Sequence, residues 1–548
     1  MGLTALFLLA LFSTEAADSD TWWHLATGKF IWQNHRLPVP DPFSYTTDLG
    51  KPQYPGELVT RHFNLTHEWG MQLIFYVVQA IAGIGGLVLL RSCLLTFFCG
   101  LTGWLAWRRS SSFYWGLAAA FLAASVATTT TADRPYLATF VMIPVTMVAY
   151  ETRRGLWWLP LGFLIWANCH GGFIMGWVVA ASYSAEALYQ RLKGMPAPDF
   201  GKICGISILA VLASLFNPNG YRVLDVMLHY QSSPLQTHIL EWNYPAWWPP
   251  DPHNLLMIVT ALVLLWARRT VRPADWLLFV LLGGASSMAL RNVIFIGCVG
   301  PVLLATYFPR WKRVIPPIWE YAAAALLVLA LGGRIASGKA FQLHMADWRY
   351  PAEAAEFLEA HPVTGQMFNL YEQGGYLMWR LWPRKSVFID GRALNESVWQ
   401  DYKHIHNNAS YSDGRTTGAL LSQYGVHVIV MSGFDLQGDL YNLPVALADP
   451  KQTDWKLVYS DDKVVIFMRQ PPPGVEPLNS LEALNSMEMQ CELLDQHDAG
   501  GRCARSLGQM YLKIGVRERA QLWFGRYLSK YPKDPVALRE FLHPEKGN

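Results

Sequence analysis

The chain has 548 residues, of which 52% are hydrophobic and only 16% are charged, and its formal net charge is +3. This composition excludes a disordered chain, and the near-neutral charge gives no sign of a nucleic acid partner. The 24 Trp and the long apolar runs indicate a membrane protein that also carries a soluble part.

The first apolar segment, Leu3–Phe12, is shorter than the roughly 20 residues that span a membrane as a helix. Thr14–Ala17 then follow as they would at the end of a signal peptide, but no Lys or Arg precedes the apolar run. The sequence therefore favours a first transmembrane helix whose cytoplasmic end is missing. A cleaved signal peptide is the alternative.

Residues 18–70 form a polar, aromatic and acidic stretch between this segment and a long, mostly apolar part of the chain. A loop of that length is uncommon unless it is functional. We expect it to be the first extracytoplasmic loop and to carry the active site.

Apolar segments and basic junctions predict the topology of residues 1–335. The apolar segments lie at about 71–107, 113–131, 136–150, 156–168, 173–188, 202–216, 254–267, 274–288, 292–308 and 316–333. Basic residues occupy every second junction and should be cytoplasmic, namely Arg108/Arg109, Arg153/Arg154, Arg191/Lys193, Arg268/Arg269/Arg272 and Arg310/Lys312/Arg313.

This alternation requires that 71–107 crosses the membrane once, with Met71–Ala82 lying flat on the outer interface. Two short spans turning at Arg91 would break it. The sequence therefore predicts an α-helical polytopic membrane protein with about eleven transmembrane helices, its N-terminus inside and its C-terminus outside.

The remaining junctions are polar turns on the side of the 18–70 loop. They are Thr131–Pro135, Asn168–Gly172, Asn217–His253 and Leu290–Asn292. Ionisable groups and irregular backbone at membrane depth are costly unless they line a cavity. We therefore expect these turns to surround one outward-opening site.

The pattern becomes soluble from about residue 346. Short strand-like and helical runs over 346–470 predict a small extracytoplasmic α/β or α+β domain, with a strand at Ser386–Ile389 and a hairpin that turns at Ser460–Asp462. After the linker Pro471–Gly474, residues 478–548 have the spacing of a short tetratricopeptide-like helical tail. Cys491 and Cys503 flank the turn at 498–501 between two helices, and this arrangement predicts a disulfide in an oxidising compartment.

Two aspartates and a histidine open the loop. Asp18 and Asp20 bracket the end of the first apolar segment, and His24 lies four residues after Asp20. Two carboxylates and an imidazole suit a divalent cation, Mn²⁺ or Mg²⁺, and Asp20 could instead be a catalytic base. The alternative is structural, with Asp20 capping a helix and His24 forming only a hydrogen bond.

Three cations, Arg91, Arg134 and Arg291, lie in or beside apolar surroundings. A guanidinium can hold a phosphate through two parallel hydrogen bonds, which makes these arginines candidates for a phosphate site. Snorkelling to the surface, or a pair with an acid such as Asp133, is the alternative.

Glu68 and His170 complete the set of candidate residues. Glu68 begins an apolar helix, where a carboxylate could act in catalysis or only complement the helix dipole. His170 lies between Asn168 and Gly171-Gly172, where it is either a ligand or a histidine satisfied within a helix turn.

Two short motifs resemble a known class of enzymes. Asp20-Thr-Trp-Trp-His-Leu25 resembles the Asp-x-x-Tyr-His-Leu stretch of archaeal oligosaccharyltransferases. His67–Tyr76, with Gly85-Gly86 and Leu90-Arg91, is similar to the second loop helix and the arginine entering helix two of aminoarabinose transferases. The layout of residues 1–335 thus resembles the GT-C class of polytopic glycosyltransferases, which includes protein O-mannosyltransferases. The Trp-Trp-Asp-Tyr-Gly motif for sequon recognition is absent, and this argues against N-linked transfer.

The resemblance implies inverting transfer of a sugar from a polyprenyl-phosphate donor on the extracytoplasmic side of a bacterial inner membrane, often with a divalent cation. Asp20, with Asp18 or Glu68, would then be the catalytic base. The donor phosphate would be held by Arg91, Arg134, Arg291 and His170. The expected partners are the lipid-linked donor, membrane lipids, an acceptor protein or glycan, and a protein bound through the tail.

Two other classes of function stay open. A non-catalytic membrane scaffold for envelope or glycan assembly would recruit its partners through the helical tail. A lipid or solute transporter is the other, and the internal repeats typical of transporters are not seen in the sequence.

Overall fold

The computed structural model describes residues 1–197, 199–229, 240–309, 316–497, 499 and 501–542. The chain divides into two compact units, of which unit 1 comprises residues 1–40 and 54–345 and unit 2 comprises residues 41–53 and 346–548. The predicted loop 18–70 is therefore split, because its middle part folds with unit 2. The predicted α/β domain and helical tail belong to one unit.

Unit 1 is built from helices. They are α1 Gly2–Phe12, α2 Asp20–Asn34, α3 Glu57–Thr66, α4 Trp69–Ser110, α5 Phe113–Ala127, α6 Leu137–Thr152, α7 Leu159–Cys169, α8 Ile174–Leu192, α9 Phe200–Ser214, α10 Val223–His229, α11 Pro252–Trp266, α12 Pro273–Leu278, α13 Gly284–Ser286, α14 Ile294–Tyr307 and α15 Pro317–Ala336. Single-turn 3₁₀ helices at Thr128–Thr130, Gly171–Phe173, Leu240–Trp242 and Leu290–Asn292 lie in the polar turns.

The core of unit 1 forms around α14, in which every residue from Ile294 to Ala305 is buried. Side chains of α5 and α11 pack there, including Val126, Leu256 and Val263. A helix that is apolar on all sides is stable only when other helices surround it. Its sequence therefore places α14 at the centre of the bundle.

Apolar side chains also cover the outside of unit 1. Leu262 is 61% exposed and Ile208 62%, and α15 has no buried residue. An exposed apolar surface of this kind suits lipid rather than water. Three helical stretches in the described residues are long and apolar enough to cross a membrane: Glu57–Ser110, Phe113–Thr130 and Pro317–Ala336. Shorter apolar helices accompany them, so the eleven-helix arrangement stays a prediction.

Helix α4 breaks at Gly83, whose backbone adopts φ 65° and ψ −165°. Glycine tolerates this conformation because it has no Cβ. The break separates the two segments that the sequence predicts as interfacial (71–82) and spanning (84–107). Arg91 lies within the continuous part of α4, so the alternative of a turn at Arg91 is wrong.

Unit 2 contains a four-stranded sheet with the order β1-β2-β4-β3. The strands are β1 Gln366–Asn369, β2 Val426–Met431, β3 Lys456–Ser460 and β4 Val465–Met468. The helices are α16 Ala352–Ala360, α17 Tyr371–Leu381, α18 Glu396–His406, α19 Thr417–Gln423, α20 Asn442–Leu447, α21 Glu482–Gln496, α22 Cys503–Lys513, α23 Arg517–Lys530 and α24 Pro535–Leu542. Strands β1 and β2 are parallel, while β4 is antiparallel to both β2 and β3.

The β3–β4 hairpin predicted around Ser460–Asp462 is confirmed. The strand predicted at Ser386–Ile389 is wrong, because this segment forms only an isolated parallel bridge between Ser44 and Val387. Its partner comes from 41–53, a part of the chain whose place in unit 2 no local pattern indicates.

A buried ion-pair cluster fastens 41–53 into unit 2. Arg392 donates to both oxygens of Asp41, at 3.1 Å each, and to both oxygens of Asp390, at 2.7 Å each. The three side chains are at most 3% exposed. Since removing one member of such a cluster leaves buried charge unpaired, this contact fixes the segment strongly.

The positive-inside pattern predicts the membrane orientation of the helices. A reporter fused after Trp107 should report the cytoplasm, and one after Ile335 the extracytoplasmic side, because basic residues occupy every second junction, among them Arg108 and Arg109 in the last turn of α4. Paired alkaline phosphatase and green fluorescent protein fusions measure this. An extracytoplasmic signal at Trp107 would contradict the arrangement. Of the supporting basic junctions, 310–313 lies outside the described residues.

The tail cysteines offer a second measurement. Cys491 is a buried residue of α21. Its Cα lies 5.5 Å from the Cα of Cys503, and the two cysteines form a disulfide. Residues 498 and 500 of the turn between them lie outside the described residues. The other cysteines, Cys93, Cys99, Cys169, Cys204 and Cys298, are free.

Denatured protein from an oxidising compartment should therefore expose five thiols to a maleimide, and all seven only after reduction. The bridge closes a short loop, which stabilises the folded tail by up to about 3 kcal/mol on the chain-entropy model. Mass spectrometry counts the labels. Seven labels without reductant would contradict the bridge and weaken the case for an extracytoplasmic tail.

Candidate active site

Arg134 joins three carboxylates of unit 1. Its Nε lies 2.7 Å from Asp18 Oδ2, and its Nη1 lies 3.1 Å from Asp20 Oδ2 and 2.6 Å from Glu241 Oε1. A further bond from Nη2 to Asp18 Oδ1, at 3.1 Å, makes the Asp18 pair bidentate. The structure thus brings together two predicted acids, one predicted cation and one acid that the sequence analysis did not single out.

Local hydrogen bonds position Asp18 and the turn that carries Arg134. Helix α2 begins at Asp20, and the Asp18 carboxylate accepts the backbone N–H of Asp20 at 2.8 Å, so the turn before the helix holds Asp18. Arg134 lies in the turn before α6, where Tyr136 O–H donates to the Thr130 carbonyl at 3.1 Å. Both partners of the ion pair are therefore preorganised by backbone contacts.

Two acids of this cluster, Asp18 and Asp20, differ in pKa. Burial alone would raise the pKa of Asp18, but the charge of Arg134 and the hydrogen bonds to it outweigh burial and lower that pKa. Burial raises the pKa of Asp20 to about 7, since Arg134 opposes it only partly while Asp18 and Glu241 add to it. Neighbouring carboxylates with separated pKa values are typical of acid–base sites.

Arg91, predicted to bind phosphate, has another role. Its side chain is 1% exposed and donates to Asp133 Oδ2 at 2.8 Å, to the Phe12 carbonyl at 3.4 Å and to the Thr14 carbonyl. The prediction is corrected for this reason, because no phosphate can reach a guanidinium so enclosed. Arg91 instead fixes Asp133, the neighbour of Arg134, against the end of α1.

A second cluster surrounds Glu68, between α3 and α4. Its carboxylate lies 3.1 Å from His67 Nε2 and 3.7 Å from both His170 Nε2 and His24 Nδ1. Burial lowers the pKa of His24 and of His170 to about 3, so both rings are neutral at pH 7. Glu68 is thus the centre of a buried acid–imidazole network.

The orientation of His170 follows from its other nitrogen. Gly172 N–H donates to His170 Nδ1 at 3.0 Å, so a neutral ring carries its proton on Nε2, facing Glu68. Thr139 Oγ1 lies 2.8 Å from the same Nδ1 and accepts Trp166 Nε1 at 2.8 Å. A Cβ at position 172 would lie 2.5 Å from Thr139 Oγ1, so glycine is required there.

The three residues predicted as metal ligands do not form a cation site as placed. Asp18 and Asp20 share the guanidinium of Arg134, and His24 Nδ1 faces Gln72 Nε2 at 3.3 Å as well as Glu68. No group of three His, Cys, Asp or Glu arranged to hold a metal occurs within the described residues. The positive charge of the cluster is supplied by Arg134, and the divalent cation stays a prediction.

Arg291 is the least engaged by protein of the three predicted arginines. Its guanidinium lies 4.6 Å from the ring centre of Trp242, and among the described residues no carboxylate lies within 4.0 Å of it. Trp242 directly follows Glu241, the partner of Arg134. One short segment therefore links the two arginines. The sequence analysis missed Glu241 and Trp242, whose only signal is their place in a turn on the predicted outer face.

The chain shows a loose likeness to known protein structures. No protein-family model and no curated protein matches the sequence. Among solved structures, the chain is similar to the Archaeoglobus fulgidus oligosaccharyltransferase tethered with an acceptor peptide containing the NVT sequon via a disulfide bond. The identity is 12% and the TM-score 0.47, over 86% of this chain and 74% of that chain. A likeness of this degree carries no argument about function, so only the side chains of this chain can indicate what it does.

Replacing Arg134 should destabilise unit 1. Arg134→Gln leaves Asp18, Asp20 and Glu241 without their shared cation, and the loss of one partner of a buried pair costs roughly 3–5 kcal/mol. We expect about 3 kcal/mol, because the Arg134 side chain is 19% exposed. Thermal unfolding in lipid nanodiscs measures the change.

The matched control is Arg108→Gln, which removes an exposed arginine that stacks on Trp104 at 5.7 Å. A surface change of this kind should stay within about 0.5 kcal/mol of the parent. Equal midpoints for the two variants would contradict the assignment of Arg134 as the cation that holds the cluster.

Proposed function

We propose that the chain is an inverting glycosyltransferase of the GT-C type, which moves a sugar from a polyprenyl-phosphate-linked donor to an extracytoplasmic acceptor. The observation that carries the proposal is the paired arrangement of acids and arginines in an apolar helical unit. Asp18 and Asp20 meet Arg134, while Glu241 and Trp242 connect Arg134 to Arg291. Groups of this kind in a lipid-facing unit are costly unless they serve a polar substrate.

The cluster provides a base. The Asp20 side chain is 14% exposed, so an acceptor hydroxyl can reach its carboxylate while most of the group stays out of water. Removal of the hydroxyl proton by Asp20 allows the acceptor oxygen to attack the anomeric carbon of the donor sugar. A single displacement on the face opposite the leaving group inverts the configuration.

The leaving group is the lipid phosphate, which takes the electron pair of the broken carbon–oxygen bond. Arg291 has no carboxylate partner within the described residues, so its guanidinium is available for a phosphate. Arg134 adds positive charge beside it. Cations aimed at the place where charge develops lower the barrier more than they strengthen ground-state binding.

Glu68 and its histidines are assigned a supporting role. Its carboxylate faces three imidazoles rather than open space, and His24, on the first turns of α2, joins it to the helix that begins at Asp20. We propose that this network fixes α2, α4 and the Gly171–Phe173 turn around the site. In this proposal Asp20, not Glu68, is the catalytic base.

The proposed location of the protein is a bacterial inner membrane. Eleven crossings of a bacterial inner membrane, with the soluble unit outside, fit the charge pattern and the exposed apolar helices. The lipid-linked donor and the membrane lipids are then the immediate partners. The helical tail, α21–α24, is proposed as the surface that recruits another protein.

The decisive experiment measures sugar transfer. The chain, reconstituted in proteoliposomes, is given radiolabelled polyprenyl-phosphate mannose, glucose or aminoarabinose together with cell-envelope acceptors. Asp20→Asn should lower transfer roughly 10²–10⁴-fold, the usual cost of losing a general base. Arg291→Gln should raise the donor concentration needed for half-maximal transfer.

Asp48→Asn is the matched control, because it changes an exposed aspartate in the same stretch of sequence. This variant should transfer sugar at the parent rate. Activity of Asp20→Asn within a few-fold of the parent would reduce Asp20 to a helix cap. Absence of transfer from every donor would favour the scaffold.

A further inference from the structure

Unit 2 contains an open cleft at the carboxyl ends of its two parallel strands. β1 leads through Leu370 into α17, and β2 leads into Ser432–Asp435, so both strands deliver polar residues to the same edge of the sheet. Ligands of open α/β sheets bind in this position.

The floor of the cleft contains a polar atom without a partner. Gln373 is 8% exposed, and its Oε1 has no hydrogen-bond partner in the described part of the chain. A buried acceptor left unpaired costs about 1–3 kcal/mol, and such atoms in native proteins usually have a missing partner. Because Gln373 lines the cleft, a ligand that donates a hydrogen bond can satisfy it.

Other residues that line the cleft are also positioned to bind a ligand. Burial raises the pKa of Glu372, the residue beside Gln373, and the charge of Asp435 adds to this effect. Gln490 Oε1 accepts Gly433 N–H at 2.7 Å, and Ser432 Oγ donates to the Phe434 carbonyl at 2.9 Å. These bonds fix the loop after β2, so the cleft is preorganised rather than assembled by the ligand.

The charges of the cleft narrow the class of ligand. Three carboxylates line it, from Glu372, Asp435 and Asp462, against Arg349 and Lys463. Lys463 is already bound to Glu353 at 2.9 Å, whereas Arg349 has no carboxylate within 4.0 Å in the described residues. The carboxylates disfavour an anion, and the guanidinium disfavours an organic cation.

A polyhydroxylated neutral ligand suits both kinds of group. A hydroxyl donates to a carboxylate or an amide oxygen and accepts from a guanidinium, so different hydroxyls of one ligand can pair with Glu372, Gln373 and Arg349. The apolar part of the lining, Leu370, Phe434, Leu436 and Leu493, can pack against the C–H surface of a ring. We infer that this cleft of unit 2 is a saccharide-binding site, formed by Glu372, Gln373, Asp435 and Arg349.

The inference does not rest on the transferase proposal, since every lining residue belongs to unit 2 and the proposed catalytic residues belong to unit 1. It assigns unit 2 the capture of a glycan. Loss of transfer with intact binding, or the reverse, would separate the two ideas.

The test uses the full chain in lipid nanodiscs, without detergents that have sugar headgroups. Methyl glycosides of glucose, galactose, mannose and N-acetylglucosamine are added one at a time, and saturation-transfer difference NMR reports binding. At least one glycoside should give a signal, and Gln373→Leu and Glu372→Gln should each weaken its affinity at least tenfold.

Gln423→Leu is the matched control, because Gln423 is exposed at the end of α19 and does not line the cleft. It should bind as the parent does, and so should Asp20→Asn. Gln373→Leu should keep or raise the unfolding temperature, since it removes an unpaired buried oxygen. A lower unfolding temperature would indicate a structural glutamine.

Two results would overturn the inference. One is the absence of any signal from the four glycosides with the folded parent protein. The other is a signal that both cleft variants leave unchanged, which would place the binding elsewhere in the chain.

Discussion

A partly buried cation shared by three carboxylates is the contact on which the candidate site depends. Loss of Arg134 would leave the carboxylates of Asp18, Asp20 and Glu241 without the cation that they share. The cluster therefore ties the start of α2, the turn before α6 and the Leu240–Trp242 segment to one another. It also divides the two aspartates into a paired ion and a carboxyl whose protonation is open to change.

Other buried polar groups support this cluster instead of competing with it. Arg91 occupies Asp133, so that Arg134 is left to face the carboxylates of the loop. The Glu68 network is centred on an acid whose neighbours are imidazoles, two of them neutral by burial. Arg91 pairs with Asp133, and Glu68 lies among imidazoles, and such partners lower the cost of keeping ionisable groups inside an apolar unit.

In unit 2 a buried ion-pair cluster likewise anchors a distant segment of the chain. Arg392 between Asp41 and Asp390 fixes a segment that is more than 300 residues away in sequence, and this explains why 41–53 belongs to unit 2. At the edge where the parallel strands of the sheet end, Gln373 Oε1 is left without a hydrogen-bond partner in the described residues. The charges of the Arg392 cluster, in contrast, are paired within the protein.

Local patterns were sufficient for several parts of the structure. The β3–β4 hairpin and the close approach of Cys491 to Cys503 depend on residues near each other in sequence, so periodicity and turn chemistry predict them. The alternation of basic junctions predicts separate segments at 71–82 and 84–107, but not the glycine at which they divide. Asp18, Asp20 and Arg134 were singled out by residue type and by their place near one predicted face, but for separate roles. The ion pairs that join them were not predicted.

Only the tertiary structure decided which partner each charge has. The sequence left open whether Arg91 would bind phosphate or pair with an acid such as Asp133, and the structure chose the pair. The sequence could not tell that Glu241 would join Arg134, or that 41–53 would leave the first loop for unit 2. The Ser386–Ile389 run has the composition of a strand, yet it finds only one bridge partner. Composition and spacing fix which groups must be paired or buried, but the pairing itself is a long-range choice made by packing, and a single sequence does not record it.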